Sequence, residues 1–380
     1  MAHAILSASG ASRWMACPPS ARLEQGYENK SSTFAQEGTL AHELGELKLR
    51  KELCEISTRK YNSEFKKIES HNLFTKDMPD YVDNYVETCM EKVAEARSKT
   101  PDAIVNLEQR LDFSQWVPEG FGTGDMVIIA DGVMEVIDLK YGKGVPVSAV
   151  GNKQMRLYAL GAIAEFGFLY DIEKVRMTIV QPRLDSISTD EVLADDLLKW
   201  ADEFVKPTAE LAFKGEGDFC AGDHCGFCRA KGVCRARAEK NLELAKYDFE
   251  KPSALDNDEI ALILGRADEL IKWAKDIQEY ALEKALAGEE FPGHKVVEGR
   301  SNRKWTDEDK IGEILLGEGF LEGIVYTKKL TGISGMESAI GKKEVQRLLG
   351  DYIIKPPGKP TLVSENDKRP VFNPAKADFE

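Results

Sequence analysis

GDMVIIADGVMEVIDLK, residues 124–140, is the stretch that decides the fold. Two runs rich in β-branched and apolar residues flank the dipeptide Asp131-Gly132, and Asp-Gly between such runs is typical of a two-residue β-hairpin loop. The register set by that loop places Asp125 opposite Asp138. Because side chains alternate between the two faces of a strand, Lys140 is expected on the same face as these two carboxylates.

The two facing carboxylates predict a cation site. They repel each other unless a cation lies between them or one of them takes up a proton. Oxygen ligands of this kind suit Mg²⁺ or Mn²⁺, and the adjacent lysine can orient a water molecule or stabilise a pentavalent phosphate. A pair of surface charges is the alternative for Asp138 and Lys140, but the opposition of Asp125 and the apolar neighbours Ile137 and Leu139 favour the cation site.

Apolar spacing predicts the elements around this hairpin. Positions three and four apart indicate helices, and alternation or short runs of β-branched residues indicate strands. We expect helices at residues 36–53, 79–98, 152–165, 190–213 and 257–287, and strands at residues 104–111, 124–130, 133–140 and 175–180.

The cysteines predict a metal centre. Cys225, Cys228 and Cys234 lie within ten residues, with Cys220 just upstream and Cys17 in a distant turn-like segment. Seven cysteines without a signal peptide indicate a reducing cytoplasm, where thiols are free or bind metal. Two sites remain open. Zinc would take the four nearby cysteines from Cys220 to Cys234, whereas an iron–sulfur cluster would accept Cys17 as a distant fourth ligand.

Length and charge restrict the possible functions. A chain of 380 residues is long enough for two domains, and it contains no apolar run long enough to predict a membrane span. The net charge of −14 argues against a protein that binds nucleic acid over its whole surface. A local basic channel remains compatible with that charge. Its candidate residues are Lys140, Lys143, Lys153, Arg156 and Arg183.

A change of composition predicts a domain boundary near residue 250. Residues 1–250 contain the hairpin and the cysteines. Residues 251–380 form a C-terminal extension that begins with a long helix and continues as short mixed elements rich in Gly, Lys and Pro. Its end, from Lys355 to Glu380, is predicted to be an extended tail that packs on the protein or binds a partner.

The order of these motifs resembles the RecB-like branch of the PD-(D/E)xK nuclease superfamily, in particular iron–sulfur members such as AddB and the CRISPR adaptation nucleases. The resemblance covers about residues 10–240. The matching motifs are Gly38-Thr39-Leu40-Ala41-His42, Gly124-Asp125, Ile137-Asp138-Leu139-Lys140, the pair Gln154 and Tyr158, and the split set Cys17, Cys225, Cys228 and Cys234.

The resemblance implies an α/β fold with a restriction-endonuclease-like core, in which a small mixed sheet is flanked by helices; to this we add a C-terminal α+β extension. It also implies roles for individual residues. His42, Asp125, Asp138 and the main-chain carbonyl of Leu139 would bind Mg²⁺ or Mn²⁺, and Lys140 would position the attacking water. Gln154 and Tyr158 would hold the backbone or the active-site loop, and the four cysteines of the split set would bind a [4Fe–4S] cluster.

Three acidic residues remain open as further members of the site. Glu43 and Glu46 follow His42 on the predicted helix and are alternative carboxylate ligands. Glu108, on the first predicted strand, is either another acidic neighbour of the site or a surface residue.

The expected activity is that of a metal-dependent deoxyribonuclease, an exonuclease or end-processing enzyme that hydrolyses phosphodiester bonds in phage recombination or replication. Resemblance to phage and prophage proteins with this core implies a location in the cytoplasm of a bacterial host. The implied partners are DNA and a phage single-strand annealing protein or helicase. The alternative is a non-catalytic nucleic-acid-binding or protein-binding scaffold, stabilised by a zinc or iron–sulfur site.

Overall fold

A computed structural model describes residues 4–29, 33–168, 170–243, 255–297, 307–327 and 330–354. The chain divides into two compact units. The first comprises Met1–Lys251 together with Glu269–Ala281, and the second comprises Pro252–Asp268 and Leu282–Glu380. A short part of the predicted C-terminal extension therefore belongs to the first unit.

The first unit is built on a mixed five-stranded sheet. Its strands, which are neighbours in chain order, are β1 (Ile104–Asp112), β2 (Phe121–Ala130), β3 (Val133–Leu139), β4 (Lys174–Gln181) and β5 (Ser186–Leu193). Strands β1, β2 and β3 form an antiparallel meander, β4 is parallel to β3, and β5 is antiparallel to β4.

The helices account for most of the rest of the described chain. In chain order they are α1 (Ala11–Ala16), α2 (Ser20–Leu23), α3 (Thr33–Glu52), α4 (Thr58–Glu69), α5 (Met78–Lys99), α6 (Lys153–Phe166), α7 (Ala194–Trp200), α8 (Lys206–Lys214), α9 (Arg235–Leu242), α10 (Asn257–Leu286), α11 (Glu308–Gly317), α12 (Glu322–Val325), α13 (Ile333–Ile340) and α14 (Lys342–Leu349).

The hairpin has the predicted register. Ala130 pairs with Val133, and the ladder continues to the pair Met126 and Ile137. Gly132 has a φ of +73°, a backbone conformation that glycine adopts at little cost. The expectation that Asp131 and Gly132 form the loop is therefore confirmed, and Asp125 and Asp138 are the next residues beyond the ladder.

Strand β3 is the centre of the sheet, and its residues from Met134 to Leu139 are buried. A central strand covered on both faces needs apolar side chains in succession, which explains its run of Val, Ile, Met and Leu. Two carboxylates are exceptions in this apolar strand, since Glu135 is only 5% and Asp138 only 2% exposed.

Helices cover both faces of the sheet, as predicted. Val127, Val136 and Met177 share one core with α1, α6, α7 and α8. On the opposite face, Ile137 and Leu139 pack with α3 and α5 in a second core. The alternation of side chains along β2 and β3 therefore produces a three-layer α/β/α arrangement within the first unit.

One predicted boundary is wrong. The helix expected from residue 190 begins at Ala194, because Ser186–Leu193 forms β5 on the edge of the sheet. The outward side chains of β5 include Ile187, 60% exposed, and Leu193, 51% exposed. Because apolar residues lie on the solvent side of β5, its sequence lacks the alternation of apolar and polar residues by which a strand is normally recognised. Helix α4 was also not predicted; its sequence is strongly charged, and its only buried residue is Ile68.

The described part of the second unit differs from the predicted α+β extension. Its described residues form helices and contain no strand. Gly319 and Gly341, both at positive φ, follow α11 and α13, so glycines expected to mark turns between mixed elements lie at helix ends instead. The predicted tail from Lys355 lies outside the described residues. None of the described helices combines the length and apolar character that a membrane span requires.

Candidate functional site

A histidine and two carboxylates from three different elements meet at one side of the sheet. His42 lies on α3, Glu108 on β1 and Asp125 on β2. Nδ1 of His42 is 3.1 Å from Oδ1 of Asp125, and each of the three residues offers a ligand atom within 4.8 Å of the other two. Within the described residues, no other three His, Cys, Asp or Glu side chains form such a group.

Glu108 reaches this group through an unusual backbone. The residues on either side of Glu108 pair with those on either side of Asp125, so the two acidic residues face each other across β1 and β2. Glu108 has a φ of +49°, and the left-handed conformation costs a residue with a side chain roughly 1–2 kcal/mol. Such strain is concentrated at functional sites. The sequence left the position of Glu108 open, and the structure places it beside His42 and Asp125.

The charges of this group are strongly coupled. Burial raises the pKa of Glu108 to about 7, with the charges of Asp125 and Glu46 adding to the effect and that of His42 opposing it. Burial by itself would lower the pKa of His42, but the charge of Asp125 and the contact with its carboxylate outweigh burial and raise the pKa to about 9. The positive charge of the His42 imidazolium offsets the repulsion between the two carboxylates. A divalent cation bound to the carboxylates could supply that positive charge instead.

Asp138 and Lys140 form the second part of the site. Nζ of Lys140 is 2.8 Å from Oδ2 of Asp138 and donates a hydrogen bond to Oε1 of Gln154 at 3.1 Å. Nε2 of Gln154 in turn donates to the hydroxyl of Tyr158 at 3.0 Å. Gln154 and Tyr158 are one turn apart on α6, so this helix fixes the lysine through its amide.

The main chain of Leu139 connects the two parts. Its N–H donates to Oδ2 of Asp125 at 2.7 Å, which fixes the carboxylate that also contacts His42. Burial raises the pKa of Asp138, the nearby charge of Lys140 opposes that shift, and the charge of Asp125 adds to it. The structure thus brings the side chains of the catalytic and metal-ligand candidates together, with Asp138 paired with Lys140 and outside the group of His42, Glu108 and Asp125.

The other candidate residues differ in their exposure and in their ionic partners. Arg183 contacts Glu37 at 3.0 Å and stacks on Tyr141, and Arg156 is 3.6 Å from Asp190. These two arginines are therefore partly neutralised by carboxylates. Lys143 is exposed and Lys153 is half-buried. Of the two alternative ligands on α3, Glu46 pairs with Arg50 and Glu43 is exposed.

Five of the seven cysteines line a cavity in the first unit, although they come from distant parts of the chain. Cys17, Cys225 and Cys228 are buried, Cys234 is half-buried, and Cys220 is exposed. Burial raises the pKa of Cys228 to about 12, so that thiol stays protonated at neutral pH unless a cation binds its sulfur. The residues that line the cavity are Arg13, Cys17, Ser20, Leu23, Phe219, Cys220, His224, Cys225, Cys228, Lys231, Cys234 and Arg237.

Unpaired donors in the cavity wall test whether an anionic group fits there. Buried polar atoms of folded proteins nearly always have a hydrogen-bond partner. Three buried side-chain polar atoms on residues that line this cavity lack such a partner in the described part of the chain. They are Nε of Arg13, Oγ of Ser20 and Nη2 of Arg237. All three can donate, so the cavity suits a group of sulfur acceptors.

Cys220 lies at the rim of the cavity and contributes mainly through its backbone. Its N–H donates to Sγ of Cys17 at 3.4 Å, and its carbonyl oxygen is 2.8 Å from Nε2 of His224. The exposed side chain of Cys220 contrasts with the three buried thiols.

Sequence reasoning missed the donors that surround the cysteines. Arg13 and Ser20 flank Cys17 by four and three residues, and Arg237 follows Cys234 by three. This proximity to the cysteines was the available signal.

Comparison with known proteins gives a family but no activity. A solved structure described as "Crystal structure of SSO0001" is 16% identical to this chain and covers 51% of it, with a TM-score of 0.21; 95% of that chain is matched. A family model described as "Protein of unknown function (DUF2800)" matches residues 3–370. Since this match spans nearly the whole sequence, the chain belongs to the DUF2800 family.

Proposed function

We propose that this protein is a metal-dependent deoxyribonuclease, an exonuclease or end-processing enzyme that hydrolyses phosphodiester bonds of DNA in phage recombination or replication. The observation that supports it best is the juxtaposition of three cation ligands with a lysine–carboxylate pair on neighbouring strands. His42, Glu108 and Asp125 supply the ligands, and Asp138 and Lys140 supply the pair.

The first group of residues fits Mg²⁺ or Mn²⁺. Carboxylate oxygens are the ligands that these cations prefer, and an imidazole is compatible with Mn²⁺. Glu108 and Asp125 would hold the cation together with His42, and Asp138, which follows the last ladder pair of β2 and β3 as Asp125 precedes it, would have to leave Lys140 to join them. A bound divalent cation lowers the pKa of a water molecule and offsets the charge that develops on a phosphate.

Lys140 is held where it can act on a phosphate. Its side chain is 27% exposed, while the carboxylate of Asp138 beneath it is buried. Asp138 and Gln154 fix its ammonium group from two sides. A positioned ammonium orients an attacking water and stabilises negative charge in the transition state. Tyr158 holds Gln154 and thereby keeps the lysine in place.

The cysteine cavity supports a second, structural metal centre. Cys17, Cys225, Cys228 and Cys234 would hold a [4Fe–4S] cluster, since four cysteines are its usual ligands. The sulfurs of the described cysteines form no group of three within 4.8 Å of one another. A zinc ion with sulfur ligands at about 2.3 Å would require them closer together. The exposure of Cys220 also disfavours the local zinc quartet.

Cleavage of end-labelled linear DNA in Mg²⁺ and Mn²⁺ tests this function. We expect Asp138→Asn and Lys140→Ala each to abolish cleavage while the far-ultraviolet circular dichroism of the protein is retained. Lys174→Ala is the matched control, because Lys174 also pairs with a carboxylate of the sheet, Glu191, at 3.1 Å. Cleavage near the wild-type rate in either site variant would contradict the proposal. Wild-type protein that binds DNA but does not cleave it with either metal would favour the alternative of a non-catalytic nucleic-acid-binding scaffold.

A further inference from the structure

Three cationic side chains line the cysteine cavity, and one of them is almost completely buried. Arg13, Lys231 and Arg237 face the same space as the thiols. Arg237 is 1% exposed, which is rare for an arginine because a charged group loses its hydration on burial. A buried arginine must therefore be paired on all sides where it can donate.

Arg237 is paired on one side only. Its Nε donates to Oε1 of Glu269 at 2.7 Å, and its Nη1 donates to Oδ2 of Asp276 at 2.6 Å and to the carbonyl oxygen of Lys231 at 3.2 Å. Nη2 is buried and has no hydrogen-bond partner among the described residues. Arg237 therefore binds two carboxylates and is also one of the residues that line the cysteine cavity.

The two carboxylates belong to the part of α10 that is included in the first unit, Glu269–Ala281. They are seven residues apart, which places them on one face of the helix. The segment also contacts the loop between the cysteines. Nζ of Lys231 is 2.6 Å from Oδ1 of Asp276, and a Cβ at Gly232 would lie 2.9 Å from the carbonyl oxygen of Asp276.

We propose that Arg237 links the cysteine metal centre to the helix segment Glu269–Ala281, with Nη2 donating to sulfur in the cavity while Nε and Nη1 hold Glu269 and Asp276. Arg13 and Ser20 complete the ring of donors around the sulfurs through their own unpaired atoms. The inference rests on the metal-binding role proposed for the cysteines and is independent of the nuclease activity.

Metal binding by the cysteines and docking of the helix segment Glu269–Ala281 should stabilise each other. A loaded centre supplies the acceptor that fixes Arg237, and a fixed Arg237 holds the helix segment. Equally, a docked segment orients Arg237 toward the sulfurs and favours retention of the metal. Two sites that stabilise each other in this way must do so by the same factor.

Hydrogen exchange of the full-length chain measures the first half of this linkage. Protein purified anaerobically is compared with the same protein stripped by a chelator, after iron, sulfide and zinc have been quantified. We expect amide exchange in residues 269–281 to become about 5-fold faster or more on stripping, the lower end of typical coupling. Exchange in β4 should stay unchanged, because none of the residues that line the cavity belongs to that strand.

Metal retention in variants measures the second half. Asp276→Asn removes a carboxylate that does not line the cavity, and it should nevertheless speed the loss of metal to the chelator. Arg237→Lys keeps the positive charge but loses the planar guanidinium that donates in several directions at once. This variant should lose metal rapidly, and its residues 269–281 should exchange rapidly even in the metal-bound protein. Arg176→Lys is the matched control, because Arg176, which lies on β4, also contacts three carboxylates, those of Glu95, Glu135 and Glu191.

Several outcomes would overturn the inference. These are equal exchange of residues 269–281 in loaded and stripped protein, wild-type metal retention in Asp276→Asn, equally rapid metal loss in Arg176→Lys, or a chain that binds neither iron nor zinc. Loaded protein that shows the coupling but does not cleave DNA would support the inference and contradict the proposed enzyme.

Discussion

At the scale of single residues, Glu108 shows how the fold holds a side chain against its own preferences. Its backbone is left-handed within a strand, and its carboxylate faces Asp125. Both features cost free energy in the metal-free protein. They are expected where a site is organised in advance for a cation that rewards close carboxylates.

The metal-free protein should therefore be stabilised by Glu108→Gln at neutral and alkaline pH. The pKa of Glu108 is raised to about 7 from 4.5. Below pH 4.5 the carboxyl is protonated in both the folded and the unfolded chain, so substitution has little effect through charge. Between these two values only the unfolded chain ionises, and the wild type loses stability relative to the variant as pH rises. Above pH 7 the difference is constant.

Urea denaturation in EDTA at pH 4.5, 6 and 8 measures this difference. Glu119→Gln is the control, since Glu119 is also a glutamate at positive φ but is exposed. Addition of Mn²⁺ at pH 8 should make the wild type more stable than Glu108→Gln, because the wild type binds the cation more tightly. A difference between wild type and Glu108→Gln that is independent of pH, or Mn²⁺ stabilising both equally, would show that Glu108 does not belong to the cation group.

At the scale of elements, helix α6 positions Lys140 through Gln154. Gly161 sets the distance between α6 and β1. A Cβ at Gly161 would lie 2.9 Å from Cβ of Leu111 and 3.1 Å from the carbonyl carbon of the same residue. Backbone atoms in a strand cannot move aside as a flexible side chain can. The helix that supplies Gln154 and Tyr158 therefore depends on a glycine at this crossing.

Gly161→Ala should destabilise the first unit and move α6. Overpacking of this kind costs about 1–3 kcal/mol, although alanine has the higher helix propensity. We expect a lower thermal midpoint and a reduced cleavage rate, because displacement of α6 withdraws Gln154 from Lys140. Gly142→Ala is the control, since a Cβ there would meet nothing within 4 Å. A midpoint as high as that of the control variant would mean that the helix adjusts without cost.

At the scale of the whole molecule, the cysteines join distant parts of the chain. Cys17 precedes the sheet, and Cys225, Cys228 and Cys234 follow it. One metal centre that binds both sides closes a loop of about 200 residues, for which loop entropy gives a stabilisation of about 5 kcal/mol by analogy with a disulfide. The centre therefore acts on the stability of the entire first unit.

Cys17→Ala should lose the metal and much of the thermal stability, whereas Cys220→Ala should retain both. The second expectation follows from the exposed side chain of Cys220 and from the use of its backbone N–H, which the substitution preserves. Iron and sulfide analysis of anaerobically purified protein, with thermal denaturation of the same samples, provides the measurement. Four irons per chain are expected for a cubane cluster. If Cys17 is dispensable and Cys220 is required, the site is a local one and zinc becomes the better assignment.

The sequence by itself determined the features that depend on neighbouring residues. The Asp131-Gly132 loop set the register of the hairpin, because turn chemistry acts over a few residues. Apolar periodicity located the four strands from β1 to β4 and the helices that cover them. A one-residue slip of the hairpin would move its apolar side chains to the opposite face of the sheet. The alternation of residues in the sequence therefore favours the same register as the turn.

Only the tertiary structure decided which distant residues meet. Glu108 joined His42 because its backbone takes a conformation that no periodicity predicts. The edge strand β5 depended on pairing with β4 rather than on its own pattern. Arg237 found Glu269 and Asp276 across more than thirty residues. The physical reason is the same in each case: burial and charge pairing act between residues that are close in space, whatever their separation along the chain.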